Sequence, residues 1–485
     1  MTTSRTSRPR RRRHAAALPP QRILCEYLSE PLLAFADEQL HVDPKAGIAR
    51  YGPRSYGRGE HPASVRVGLV GTAETIATAR TWLQTNAEGV LGDAKNPEFP
   101  GYRRDRGFCS ELTFDDTCNE RITQTELQDL LRERRPQKDR FEATVALIDE
   151  KLRLLGDRDH PPQYVVIALP NDLVRRCRVA EYHDPELGMV HRDLRRAIKA
   201  AAMKYRIPTQ LARQQTMEGN DRTPAAKIAW NFFTGLYFKA GGFPWGPHGL
   251  APGTCYAGIS FYRPLGSKRH TMQTSLVQAF DEHGEGLVLR GPDFEWDPDK
   301  EGTASPHLTE QQAAELMETV LARYQRERRQ VPRRVVIHKT SRYWPGERDG
   351  FTSVLTGRVA EYDLMALSPQ SVVRLITASK YPPLRCTRFS VGDLDYLYTT
   401  GFIAALNEFH AMHVPSPLQI ADHVGQDTPR RTLFWEVLAL TKMNWNSAQF
   451  GGLLPITLRF SRLVGDIMRE IPPDRDPLPQ FKYYM

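Results

Sequence analysis

The 485-residue chain lacks several features that would place it quickly. No apolar run approaches the roughly 20 residues that span a bilayer, so no transmembrane helix and no membrane partner are expected. The basic N-terminus has no apolar stretch behind it and does not read as a secretory signal. Six cysteines lie at 25, 109, 118, 177, 255 and 386, none in a CxxC pair and none with a histidine at zinc-finger spacing. Reduced, mostly buried thiols in a cytoplasmic protein are expected, and a structural zinc is not. There is no GxGxxG and no Walker sequence, which leaves the Gly68–Gly71 turn without a phosphate-loop pattern.

A hydrophobic fraction of 40% and a charged fraction of 25% describe a globular chain, long enough for two or three domains. The net charge of +9 favours polyanionic partners such as nucleic acid. Residues 1–18 carry Arg5, Arg8 and the run Arg10 to Arg13 with almost nothing apolar, so a disordered tail is expected, either a phosphate-binding arm or a solubilising end.

Ser64 to Val70 reads as a strand followed by a helix from Thr72 to Leu83, and Tyr164 to Leu169 as a second strand. This alternation predicts a parallel sheet of Rossmann-like character. The spacing predicts an amphipathic helix over 190–206, ended by Ile207-Pro208, and another over 225–239, stopped by Gly241-Gly242. The Gly- and Pro-rich stretch 242–252 reads as a domain boundary. Beyond it come a strand at 255–262, a hairpin of 274–280 and 287–290 with its turn at 283–286, and a helix from Thr309 to Arg326 with Gln312 completing a capping box. Strands at 334–338, 372–376 and 395–398 and helices at 432–440 and 458–469 finish the pattern, which suits an RNase H-like α/β domain.

The basic residues form one informative set. Arg195 and Lys199 are four apart on a predicted helix and share a face. Gln210 follows in the next segment and Lys239 ends the next helix, so two lysines, a guanidinium and an amide can surround one phosphate. Read from the spacing alone, a solvated helix face is the better description of Arg195 and Lys199. Thr216 is a further candidate hydroxyl. Tyr205, Trp230, Phe233, Tyr237 and Trp245 offer either a base-stacking platform or core.

The segments IPTQLARQQT, with Lys199 upstream, and LYFKAGGFPW resemble the MID pocket of prokaryotic Argonautes. CYAGISFYR, RRVVIHKTSRY, PSPLQI, LALTKMNWN and LLPITLRFSRL resemble successive segments of the PIWI domain, and FKYYM resembles the apolar tail that returns to the MID pocket. The resemblance covers most of residues 20–485. It implies a Rossmann-like MID domain over 19–245 and an RNase H-like PIWI domain over 246–485, with no N or PAZ domain, as in short Argonautes. It also implies that Arg195, Lys199, Gln210 and Lys239 hold the 5′-phosphate of a guide. The carboxylate of Met485 would join them through Mg²⁺, and the apolar residues of the tail would dock.

Two-metal phosphodiester cleavage needs clustered carboxylates. In a cutting member of the family they would stand at the places of Ser260, of Lys339 or Thr340, and of Arg462 or Ser461. A serine and two cations do not hold two divalent metals, since like charges repel. No catalytic role is therefore expected, and Lys339 and Arg462 would either contact a nucleic-acid backbone or fill the vacated place. The implied function is recognition of a single-stranded DNA target by a small guide RNA, without cutting. It would act with a partner bearing an APAZ region fused to a TIR, sirtuin-like or nuclease domain, the TIR type foremost, in defence against plasmids or phage. Three alternatives stay open: a metal-dependent nuclease using Asp281, Glu282 or Asp293, a nucleotide-binding enzyme on the Rossmann-like half, and a basic scaffold without a guide.

Overall fold

A computed structural model of the chain describes residues 23–185, 188–265, 270–279, 286–376, 381–409, 413–425, 428–472 and 475–485. The arginine-rich tail, the acids Asp281 and Glu282 and most of the 283–286 turn lie outside the described residues. Among the described residues, no helix is long and apolar enough to cross a membrane.

Two main sheets organise the fold. The first has four parallel strands in the order Thr209–Arg213, Tyr164–Leu169, Ser64–Gly71, Glu111–Arg121. All six residues of the Tyr164–Leu169 strand are buried, as a strand covered on both faces requires. Its side chains alternate. Val165, Ile167 and Leu169 face a core with Phe141, Ile148 and Leu152 of the Gln137–Gly156 helix. Tyr164, Val166 and Ala168 face Ile76, Leu83, Trp230 and Phe233 on the other side.

The second sheet has nine strands, in the order Cys25–Tyr27, Thr387–Val391, Leu394–Leu397, Leu418–Gly425, Glu361–Ser368, Arg334–Lys339, Thr254–Tyr262, Thr271–Ala279, Leu287–Glu295. Arg334–Lys339 runs parallel to both its neighbours, and the remaining pairs are antiparallel. The strand Cys25–Tyr27, inside the range expected for the first domain, adds to the edge of this second sheet. The core of Trp230 and Phe233 continues through Val336 and Met365 to Phe481, Tyr484 and Met485, so one apolar layer joins both sheets and takes in the end of the sequence.

Several expected elements form as read. Thr72 and Thr309 cap the helices Ala73–Ala87 and Glu310–Arg328 with reciprocal capping boxes, the second completed by Gln312. Two do not. The helix expected over 190–206 begins only at Leu194. Residues Gly188–Asp193 pair instead with Val179–Asp184 in a hairpin, and the Asp193 side chain accepts from the Arg196 amide to start the Leu194–Ala202 helix. A cap residue placed inside a helical pattern moved the start by about one turn. The strand expected near 372–376 joins no sheet. Val372 and Ile376 are 97% and 92% exposed, and the Leu375 amide is taken by the Tyr398 hydroxyl at 2.9 Å. Strand propensity had no free ladder to satisfy there.

Candidate nucleic-acid site

The Leu194–Ala202 helix presents Arg195 and, one turn later, Lys199 on one face. Lys199 is not a solvated residue: it is 2% exposed. Its ammonium donates to the Thr209 carbonyl at 3.0 Å and to the main-chain oxygen of Met485. Lys239 ends the Ala225–Lys239 helix and is 1% exposed. It donates to Gln210 Oε1 at 2.6 Å and to the same Thr209 carbonyl at 3.4 Å, and lies 5.7 Å from the centre of the Tyr164 ring. The structure thus gathers Arg195, Lys199, Gln210, Lys239 and Met485, which come from four separate stretches of chain.

Apart from the terminal oxygen of Met485, the charges gathered around the two lysines are positive. Burial pushes the Lys199 ammonium well below the usual lysine range, and the charges of Lys239 and Arg195 push it further the same way. Burial and then Arg195 lower Lys239 likewise. Burial also lowers Arg195, with Asp193 partly opposing and Arg196 adding to the effect. Both lysines donate only to neutral amide oxygens and to the Met485 oxygen, with no side-chain carboxylate as partner. Such a site favours an anion that can accept several charge-assisted hydrogen bonds.

Above these groups opens a cleft of about 660 Å³. Arg195 and Gln210 line it, with Arg213 from one half of the chain and Arg459 and Arg462 from the Ile456–Met468 helix. Thr216 also lines it, its hydroxyl given to Asp221 at 2.9 Å. The walls are locked together by ion pairs of Arg196 with Asp466 at 2.7 Å and of Arg192 with Glu470 at 2.8 Å. Trp230, Phe233, Tyr237 and Trp245 are buried core, and Tyr205 gives its hydroxyl to Asp149 at 3.0 Å. The aromatic lining of the cleft comes from Phe460 and from Phe232. Trp230 and Phe233, neighbours of Phe232 on its helix, carry the same apolar signal, so sequence did not separate it from them. Arg213 and Arg459 were also missed; the three-residue spacing of Arg459 and Arg462 is the one signal that could have placed Arg459 on the cleft side.

Ser260, Lys339 and Arg462 do converge. All three line a second cavity of about 760 Å³, together with Thr340, while Ser461 is buried and bonded to its own helix. Ser260 Oγ is buried without a hydrogen bond. The described lining residues include no Asp or Glu. Lys339 is not available as a phosphate contact. Its ammonium is paired with Glu347 at 2.5 Å and lies 3.1 Å from His307 Nδ1. Glu347 also accepts from the Leu308 amide at 3.0 Å and the Trp344 amide at 2.9 Å. Burial would raise this carboxyl, but the His307 hydrogen bond and the Lys339 charge outweigh it and hold it below its ordinary range. Lys339 therefore fills the place with a neutralised pair. Glu347 was not expected at this site; Pro345 followed by an acid two residues on marks a helix start, and its capping role hid the second one. Asp293 is exposed and accepts from Gln273.

Among the described residues, no group of three or more His, Cys, Asp or Glu side chains is placed to share a metal ion. Beside the lysines, the Met485 main-chain oxygen and Gln210 Oε1 are hard donors of the kind magnesium takes, and both accept from an ammonium. Two oxygens are short of the six of an octahedral ion, so magnesium fits here only with oxygens that a ligand brings.

These sheets and this cleft define an Argonaute-like fold. The sequence matches no family profile and no curated protein. Among solved structures, the chain is similar to Clostridium butyricum Argonaute bound to a guide DNA and a 19-mer target DNA, with a TM-score of 0.65 and 14% identity over 95% of this chain and 55% of that one. It is similar to Aa-Ago with externally bound siRNA, with a TM-score of 0.59 and 13% identity over 95% and 56%. A structure of A. aeolicus Argonaute follows, with a TM-score of 0.57 and 13% identity over 93% and 54%. The chain spans about half the length of these proteins.

Proposed function

We propose that the chain holds the 5′-phosphate of a small guide RNA over Arg195, Lys199, Gln210 and Lys239 and offers the guide to a complementary single-stranded DNA target. One observation carries this reading: two buried ammonium groups without carboxylate side-chain partners share the Thr209 carbonyl beneath an open, arginine-lined cleft. Burying such groups costs several kcal/mol unless they are paired, and a phosphate bearing two charges is the pairing this geometry suits. Arg213 then faces the first nucleotides, and Arg459 and Arg462 the following backbone. The guide reads sequence by base pairing, and the protein reads charge and helical shape. The Met485 main-chain oxygen and Gln210 Oε1 are the groups that would hold magnesium here, and it would add positive charge beside the guide phosphates.

In this reading the target is bound and not cut, because Ser260, the Lys339–Glu347 pair and Arg462 offer one uncharged group, one neutralised pair and one cation where two metals would need carboxylates. An outcome then requires a partner. The resemblance of the sequence to short Argonautes points to a cytoplasmic complex with an APAZ-bearing effector, foremost of the TIR type, whose own NAD⁺ hydrolysis would serve defence against invading DNA. The MID and PIWI ranges 19–245 and 246–485 belong to the same proposal.

The test is a comparison of 5′-phosphorylated and 5′-hydroxyl RNA of one sequence. Wild type is expected to prefer the phosphorylated strand by at least about tenfold, one charge-assisted contact pair being worth about 1.5–3 kcal/mol. Lys199→Glu is expected to abolish the preference. An unchanged preference in that variant removes the site assignment.

A further inference from the structure

A second basic cavity shares two of its lining segments with the cleft. The Ala225–Lys239 helix turns Asn231 and Phe232 to the cleft and Lys227, one turn earlier, to a separate cavity of about 340 Å³. The loop after Lys442 divides in the same way, with Asn444 and Asn446 on the cleft and Gln449 and Phe450 on the smaller cavity. Lys45 enters it from the first turn of the Pro44–Tyr51 helix, and Lys95 from the tight turn between Val90 and Phe99. Three lysines from three distant stretches of chain therefore border one small volume.

Among the described residues, none of the three forms an ion pair, and the lining contains no Asp or Glu. The fourth cation of the lining, Arg385, is spent: it pairs with Glu30 at 3.0 Å and donates to Thr441 Oγ1 at 2.9 Å. Lys45 is the most enclosed of the lysines. Burial lowers its ammonium, Lys227 lowers it further, and Asp43 and Glu408 pull the other way. Converging like charges gain from a counter-anion. Asn96, Thr400 and Gln449 add neutral hydrogen-bonding groups, and Phe409 supplies an apolar face. The volume is in the range of a small-ligand site and too small for a folded partner.

We infer that this cavity holds the phosphate of a nucleotide unit, with Lys45, Lys95 and Lys227 as its counter-charges. Two sources carry that chemistry: a free mononucleotide, or an internal nucleotide of a strand that leaves the cleft across the Lys227 wall. The inference does not depend on the 5′-phosphate reading, since it uses none of the same residues.

The experiment uses the full chain with two probes. ATP is measured by equilibrium dialysis, and a short 5′-hydroxyl RNA by fluorescence anisotropy over a series of KCl concentrations. The double variant Lys45→Glu/Lys227→Glu, alone and added to Lys199→Glu, is compared with wild type and with Lys199→Glu. If a free nucleotide is the ligand, ATP binding persists in Lys199→Glu and falls at least tenfold when Lys45→Glu/Lys227→Glu is added to it. If a strand is the ligand, RNA binding falls instead, and the slope of log affinity against log salt drops by about 2, roughly one for each phosphate no longer neutralised. Lys45→Gln/Lys227→Gln, with an unchanged melting temperature, guards against misfolding of the charge-reversed form and is expected to lose binding in the same direction. If neither probe distinguishes the double variants from wild type, or the triple variant from Lys199→Glu, the inference is overturned, whatever Lys199→Glu does to 5′-phosphate preference.

Discussion

At the scale of single residues, Lys199 and Lys239 make a pH-dependent device. Lys199 meets Lys239, Arg195, Thr209 and Met485; Lys239 meets Arg195, Gln210 and the Tyr164 ring. Both folded-state values lie below that of an exposed lysine, about 10.4. Between the lowered values and that one, the unfolded chain binds more protons than the folded chain, so the contribution of these lysines to stability rises with pH across the window. A phosphate favours the charged form, so its binding takes up protons and its affinity falls as pH rises through the same window. Melting curves of ligand-free protein at stepped pH from neutrality upward, set against Lys199→Met, are expected to show a rising increment in wild type that the variant loses. Affinity for 5′-phosphorylated RNA, divided by that for 5′-hydroxyl RNA, is expected to decline over the same steps. A ratio constant with pH means that the lysines are already fully charged.

At the scale of elements, the chain packs its site helices through glycine and caps that a periodicity reading registers unevenly. Gly258, midway along the Thr254–Tyr262 strand, lies against the start of the Ile456–Met468 helix, and a Cβ there would stand 2.2 Å from the Thr457 carbonyl oxygen. That oxygen is backbone and cannot swing aside, so the strand and the helix bearing Arg459 and Arg462 must separate. Gly258→Ala is expected to cost about 1–3 kcal/mol by denaturant unfolding, the usual penalty for overpacking a core, and to weaken RNA binding. Full stability would show that the two elements are not in contact as described. The long buried strands and the helices with Thr caps were legible because period and cap agree in sequence. The start of the Leu194–Ala202 helix was not, because Val190 and His191 fit a helical period as well as the hairpin they adopt. The non-strand 371–376 was not, because an apolar alternation does not say whether a ladder is free beside it. In the site, spacing gave Arg195 and Lys199 a common face. It gave no sign that Lys199 and Lys239 are sealed from water, since burial of a lysine depends on the Met485 end returning from the far end of the sequence.

At the scale of the whole molecule, the two cavities divide the charge. The arginine-lined cleft has cations to spare, whereas the cavity of Ser260, Lys339 and Arg462 keeps its main cation neutralised by Glu347. Carboxylates on and beside the same sheet are also consumed: Asp363 and Glu436 clamp Arg334 at 2.7 and 2.5 Å, and His423 sits 2.8 Å from Asp363. Among the described lining of the Ser260 cavity, one added acid would thus find no second one beside it. Ser260→Asp places a carboxylate in a cavity whose described charged lining is Arg263, Lys339 and Arg462, and it is expected to pair with a free guanidinium and not to assemble two metals. Incubation of this variant with guide RNA, labelled complementary DNA and Mn²⁺ is expected to leave the DNA intact, as with wild type. A guide-directed cut in the variant, at one phosphodiester and dependent on the metal, would mean that further acids reach this cavity and that the non-cutting reading is wrong. A cut already present in wild type would move the chemistry to acids outside the Ser260 cavity altogether.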